Sequence, residues 1–307
     1  MHIRINNETL QVKLESERNI GDVYDSLCSW IKKVGMYPLE LHIDTREVDL
    51  AQTEQWRSCS VDTVQQLDLQ AGTINNLHQK QLMTIIDYFL LLDELIEKFQ
   101  AGEQGKQSEQ LEREISDAWS EYDHVRQVIP RMLNLSEEEF SKDFKQLDVA
   151  AQEISLTNSK PPELIRFRTI LNKLKIILLD RLTEITQPTR EMQKTAEILK
   201  NMLPSLEDIG TALQTGNERD AYGFVLKISE VIAKSIRIMD VLTIEYPDQS
   251  FKELNETKKN LSELIAEMNN TIGNKDSVLL ADILEYDLRE LLNIFIEQLF
   301  SLSMGEE

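Results

Sequence analysis

The 307-residue chain is poor in the residues that break helices. It holds 10 glycines and 7 prolines, too few for a loop-rich all-β protein, and long helices are the expectation. Cysteine is nearly absent. Cys28 and Cys59 show neither metal-ligand spacing nor a disulfide framework, so reduced thiols in a cytoplasmic protein are expected. Four histidines, His2, His42, His78 and His124, are scattered, and no Cys–His pair can be argued from spacing. No uncharged apolar run reaches the ~18–20 residues of a membrane span. The apolar stretches Phe89-Leu90-Leu91-Leu92 and Ile176-Ile177-Leu178-Leu179 are short and flanked by charge. The N-terminus, Met1-His2-Ile3-Arg4-Ile5, lacks a signal-peptide apolar region.

Catalytic signatures are missing too. There is no His-Glu-x-x-His, phosphate-binding Gly-rich loop, Gly-x-Ser-x-Gly or EF-hand loop. One Glu-x-x-His pair, Glu121…His124, falls short of the two pairs and two further glutamates of a di-metal bundle. The expectation is therefore no enzyme, no catalytic residue, no metal and no cofactor.

Acidic residues, in contrast, are abundant. Asp and Glu number 54 against 33 Lys and Arg, a formal charge of −21. Residues 1–72 carry 7 basic and 12 acidic side chains, so the excess is spread along the chain. Such a charge repels nucleic acids and anionic membranes. It suits an acidic soluble surface, with a nucleic-acid mimic or a binder of a basic protein as the alternative. The basic pairs Lys32-Lys33, Lys173-Leu174-Lys175 and Lys258-Lys259 read as helix-surface ion-pair partners.

The first seventy residues read as strands around one helix. His2–Asn6 is a strand, and Leu10, Val12 and Leu14 alternate as its hairpin partner. Asn19 is an N-cap with Asp22 in the capping-box position. Ile20, Val23, Leu27, Ile31 and Val34 then form one helical face, closed at Gly35. Leu39, Leu41 and Ile43 make a third strand and Val48-Asp49-Leu50 a short return strand. Ser60–Val64 is a one-turn helix and Gln66–Gln70 the last strand. This order resembles the β-grasp, or ubiquitin-like, fold. The chain runs on through Ala71-Gly72-Thr73-Ile74, so the free Gly-Gly end of the modifiers and sulfur carriers is missing. The resemblance then implies a docking module. Tyr24, Trp30 and Trp56 are its candidate peripheral-core or partner-binding aromatics, and Cys28 reads as a packing residue.

From residue 73 the period is helical. Helices are predicted from Thr73 to about Gly102, across Leu111–Ile129 and from Ser136 past Ile154. Further helices follow from about Glu163 to Thr186 and from Thr189 to Gln214, the latter kinked or split at Pro204. Three more carry Val225–Leu242, Phe251–Met268 and Leu284–Leu299. The fold class is thus α+β: a β-grasp domain (1–72), a helical hairpin region (73–158) and a helical hairpin bundle or repeat (159–307), with about eight helices in antiparallel hairpins. Met192, Met202, Met239, Met268 and Met304 read as gap-filling core.

Gly-Asn turns recur at Gly216-Asn217 and Gly273-Asn274, with a weaker copy at Phe99–Gly105. Glycine there is expected to take a left-handed cap. A helix ending Leu-x-x-Gly-Asn, then a charged turn and a leucine/isoleucine-rich helix, resembles flagellin-export chaperone bundles and helical-repeat domains of bacterial proteins. That resemblance implies a cytoplasmic scaffold or chaperone-like adaptor linked to flagellar or secretion function. Its partner would be a helical or partly unfolded protein client, or a second copy of the chain, with no nucleic acid and no membrane.

Overall fold

The computed structural model describes residues 1–11, 14, 17–50, 52–100, 161–214, 218–247 and 251–303, together with residues 114, 117 and 125. It divides into two compact units, Met1–Leu182 and Thr183–Glu307.

Unit 1 begins with a five-stranded sheet formed by β1 (His2–Ile5), β2 (Glu8–Leu10), β3 (Tyr37–Ile43), β4 (Arg46–Val48) and β5 (Gln66–Gly72). The strand order is β2-β1-β5-β3-β4. β1 and β5 are parallel at the centre, and the other pairs are antiparallel. Helix α1 (Ile20–Lys33) covers one face. Ile3, Ile5, Leu41, Leu67 and Leu69 on the strands meet Ile20, Val23, Leu27 and Ile31 in one core. This is the β-grasp arrangement.

Local chemistry fixes its corners. Asn6 (φ 49°) and Asn7 (φ 68°) supply the two left-handed residues of a two-residue hairpin turn, as do Asp44 (φ 47°) and Thr45 (φ 73°). The Asn6 side chain also accepts the Ala71 amide at 2.8 Å, and the Asp44 carboxylate accepts the Gln65 and Gln66 amides, both at 2.8 Å. The capping box of α1 forms as read: the Asp22 amide donates to Asn19 Oδ1, and the Asn19 amide to Asp22 Oδ2. Gly35 follows at φ +72°. The second strand is shorter than the alternation suggested, because it stops at Leu10 and Leu14 lies outside it, 36% exposed. Val12 is outside the described residues.

Helix α2 (Ile74–Gln100) starts directly behind β5 and packs on β3 and β5. Gly72 makes that junction possible. A Cβ there would lie 2.8 Å from both Asn76 Oδ1 and Leu39 Cδ1. Lys80 then reaches back to the sheet, donating to the Leu39 carbonyl (3.0 Å) and Glu40 Oε1 (2.9 Å). Of the turn read at 99–105, Phe99 and Gln100 are still helical in α2 and the rest lies outside the described residues, as do the helices read across 111–129 and 136–154, except that 114, 117 and 125 are helical.

Helix α3 (Pro161–Thr186) carries Pro161 and Pro162 in its first turn, where no amide donors are needed. In unit 1, Arg168 pairs with Asp93 of α2 at 2.6 Å and with Glu97 at 3.1 Å.

Unit 2 contains α4 (Pro188–Met202), α5 (Ser205–Gln214), α6 (Glu218–Glu245) and α7 (Lys252–Gly273). These are followed by α8 (Ser277–Asp282), a π-helical segment (Ile283–Leu288) and α9 (Arg289–Ser303). Pro204 splits α4 from α5, as expected of a residue that cannot donate the helical hydrogen bond. α4 packs against α6 and α9, α5 against α8, and α7 against α9. Their shared core holds Leu199, Leu206, Ile228, Ile232, Leu261, Leu284, Leu292 and Phe295, all fully buried.

One joint differs from the expected chemistry. At Gly273-Asn274 the glycine is the last helical residue and Asn274 stays right-handed. The left-handed residue is Lys275 (φ 57°), and its amide caps the Ile272 carbonyl at 3.1 Å. The Gly216-Asn217 joint is outside the described residues. The last helix is also interrupted by its π-helical turn. There α5 comes so close that a Cβ on Gly210 would sit 2.2 Å from Glu285 Oε1.

Candidate functional site

The aromatics of the β-grasp module separate into two roles. Trp56 is 3% exposed and belongs to the core, its indole Nε1–H donating to the Asp49 carbonyl at 3.0 Å. Tyr24 meets it edge-on, with ring centroids 5.1 Å apart. Arg57 stacks over both rings and pairs with Asp25. Burial and its contact with Cys28 raise the Tyr24 hydroxyl above its usual range. Burial likewise pushes the Cys28 thiol up, which keeps it a packing thiol at neutral pH. Trp30 instead is 51% exposed, beside Val34 at 62%. The outer face of the sheet is polar: Arg4 pairs with Asp68 at 3.6 Å, and Lys80 with Glu40.

In unit 2 the methionines fill space. Met192, Met239 and Met268 are buried in the core and Met202 packs against it; Met304 lies outside the described residues, as do Glu121 and His124. Lys258 pairs with Asp240, Lys259 with Glu263 and Lys175 with Asp93, in keeping with their reading as ion-pair partners. Among the described residues no group of three or more His, Cys, Asp or Glu is placed to hold a metal ion.

Unit 2 contains two buried carboxylates that sequence inspection did not single out. Glu184, at the end of α3, is 2% exposed and accepts both Arg237 Nε (3.0 Å) and Nη2 (2.9 Å) from α6. Glu191 of α4 is 4% exposed and pairs with Lys234 of α6 at 2.9 Å and with Lys194. Burial alone would raise the Glu191 carboxyl, but the two lysines outweigh it and hold the group below its usual value. Every charge here is matched, which fits a rivet between helices rather than a reaction centre. The partners are 53 and 43 residues apart, so no local motif announces them.

One feature among the described residues with the shape of a binding site is an open groove of about 400 Å³ between α7 and the π-helical segment running into α9. One wall carries Asn260, Glu263, Leu264 and Glu267. The other carries Asp287, Glu290, Leu291 and Ile294. Each set follows the i, i+3, i+4, i+7 rule for one face of a helix, so two parallel stripes line the trough. Leu264 and Leu291 form an apolar floor that rests on the core below. Ile294 remains 44% exposed. By spacing, Leu264 and Leu291 belong with the other apolar positions of the helices read across Phe251–Met268 and Leu284–Leu299. In the fold both are half-buried, packed against the core on one side and lining the groove on the other.

Residues 1–73 match a family model described as the TP0873 N-terminal domain. Residues 190–298 match a domain of unknown function, DUF8042. No curated protein and no solved structure matches the chain. The two matched segments coincide with the β-grasp module and with α4 through most of α9, so the groove lies wholly inside the second. Neither description mentions flagellar export, and that resemblance rests on the turn residues alone. No helix among the described residues is long and apolar enough to cross a membrane.

Proposed function

We propose that this chain is a non-enzymatic, cytoplasmic interaction protein, and that the groove between α7 and α9 receives a helix of a protein partner. The observation that carries the reading is the pair of matched stripes. Two adjacent helices present leucine and isoleucine at helical spacing along the same trough, and Ile294 is left half in water. A helix laid between them would complete a three-helix layer, the usual way in which an amphipathic segment is recognised. The buried charged pairs of unit 2 lie elsewhere, on α3, α4 and α6, so occupation of the groove need not disturb them. The two cysteines are unbridged, which suits a reducing compartment. A chaperone-like or adaptor role follows if the guest helix belongs to a client protein.

A photo-reactive residue placed at position 294 of the full chain, in the cells that make it, tests this reading. One placed at exposed Glu253 on α7 serves as the control. Adducts to a discrete protein from position 294, absent from position 253 and lost when Leu291 is replaced by aspartate, are expected. Equal labelling from both positions sinks the proposal.

A further inference from the structure

The rim of the groove specifies its guest. Glu263, Glu267, Asp287 and Glu290 line it, and no lysine or arginine does. The cations nearest in sequence are directed elsewhere or lie outside the trough. Arg289 reaches Glu207 at 3.3 Å. Lys259 lies 3.7 Å from Glu263, an exposed i, i+4 pair, and offsets one of the four carboxylates at most. The excess continues around the site: residues 260–307 carry ten acidic side chains and two basic ones, Lys275 and Arg289.

An apolar floor between acidic walls discriminates among guests. Nucleic acid and anionic lipid meet like charge. An uncharged apolar helix would cover the leucines but strip water from carboxylates and return nothing to them. A second copy of the chain brings a formal −21 of its own. A helix with leucine-like residues at i, i+3, i+4 and i+7, flanked on both sides by lysine or arginine, satisfies floor and rim together.

We infer that the groove is a docking site for a basic amphipathic helix about two turns long, contributed by a different protein. Two turns follow from the stripes, because each spans eight positions along its helix. This inference rests on the reading of the groove as a helix receptor and adds the charge of the partner. The guest's cations pair with the rim carboxylates, Glu267 on one wall and Glu290 on the other among them, and its apolar face lies on Leu264, Leu291 and Ile294. Exposed ion pairs of this kind steer encounter and select partners more than they add affinity, so binding should weaken steeply with salt.

The test is fluorescence anisotropy on the full chain with two synthetic helices of identical leucine stripe, one flanked by lysines and one by glutamines. At about 50 mM salt the lysine peptide is expected to bind about tenfold more tightly, and at about 500 mM that margin should largely vanish. The double change Glu267→Gln and Glu290→Gln should remove most of the margin. Glu253→Gln with Glu256→Gln, on exposed positions of α7 away from the groove, should leave it intact. Ile294→Asp, at a half-exposed position where folding is not at risk, should abolish binding of both peptides.

Equal affinity for both peptides, lost in Ile294→Asp, overturns the charge inference and leaves the helix receptor standing. Lysine-peptide binding that ignores both the groove glutamines and Ile294→Asp overturns the two together, as does the absence of binding by either peptide. A stable dimer in light scattering that Ile294→Asp dissolves would make a second copy the occupant and overturn the inference.

Discussion

Arg237→Met isolates the buried rivet of unit 2. In the native fold the Glu184 side chain is 3% exposed, and its two oxygens are held by Arg237 at 2.9 and 3.0 Å. Methionine keeps most of the stem volume and removes both donors, leaving a carboxylate in a dry site. Orphaning one member of a buried pair costs about 3–5 kcal/mol. Arg237 is itself 27% exposed, so water can partly solvate the gap, and a cost at or below the lower end of that range, roughly 2–3 kcal/mol, is expected. That is a large part of the ~5–15 kcal/mol that holds a domain together. Adding Glu184→Leu should recover most of the loss, because two apolar side chains of similar size leave no charge unpaired. Urea denaturation followed by far-UV circular dichroism measures the total. Hydrogen exchange on fragments covering residues 183–202 and 218–245 shows whether α4 and α6 loosen. A single-variant cost below ~0.5 kcal/mol, or a double variant as unstable as the sum of the singles, would refute the coupling.

Three further perturbations probe other joints. Gly210→Ala gains about 1 kcal/mol of helix propensity, yet its Cβ would fall 2.2 Å from Glu285 Oε1; a net loss in urea melts is expected, erased by Glu285→Ala, whereas a net gain in the single variant would mean that Glu285 is free to step aside. Lys80→Met cuts the tie from α2 to Leu39 and Glu40, for less than ~1 kcal/mol because both ionic side chains are about 40% exposed. The hydrogen bond from Lys80 holds the Glu40 carboxyl below its usual value, so this stability is present above the unfolded pKa and lost as pH falls through the folded one; acid titration of wild type and variant should converge at low pH. Asn19→Ala removes the acceptor of the α1 capping box and should cost about 1 kcal/mol by thermal or chemical melting; no change would mean that Asp22 alone secures that end.

What sequence could reveal follows from the range of each interaction. The capping box of Asn19 and Asp22 spans three residues and the turn at Asn6-Asn7 two, so local pattern announces them. The return strand instead runs Arg46–Val48, earlier than the Val48–Leu50 expected, because left-handed Asp44 and Thr45 close the turn sooner. The alternation Leu39, Leu41, Ile43 marks β3 for the same reason. Trp56 was harder. Its neighbours in the chain are polar, but tertiary contacts with Tyr24 and Asp49 bury it. The Gly-Asn joint was located correctly but explained by the wrong residue, because the left-handed conformation passes to Lys275. Glu184 and Arg237 offered no local sign at all, being 53 residues apart. The groove needed α7 and α9 side by side. Until their packing is known, Leu264 and Leu291 look like any other core leucines.

Hydrogen exchange of the full chain, with and without a saturating lysine-flanked amphipathic peptide, bears most directly on the groove. Slowed exchange confined to the stretches 260–267 and 287–294, absent in Ile294→Asp, is the expected result. Protection that appears instead around exposed Trp30 of α1, or that appears nowhere while the peptide binds, would show that the trough between α7 and α9 is not where this protein meets its partner.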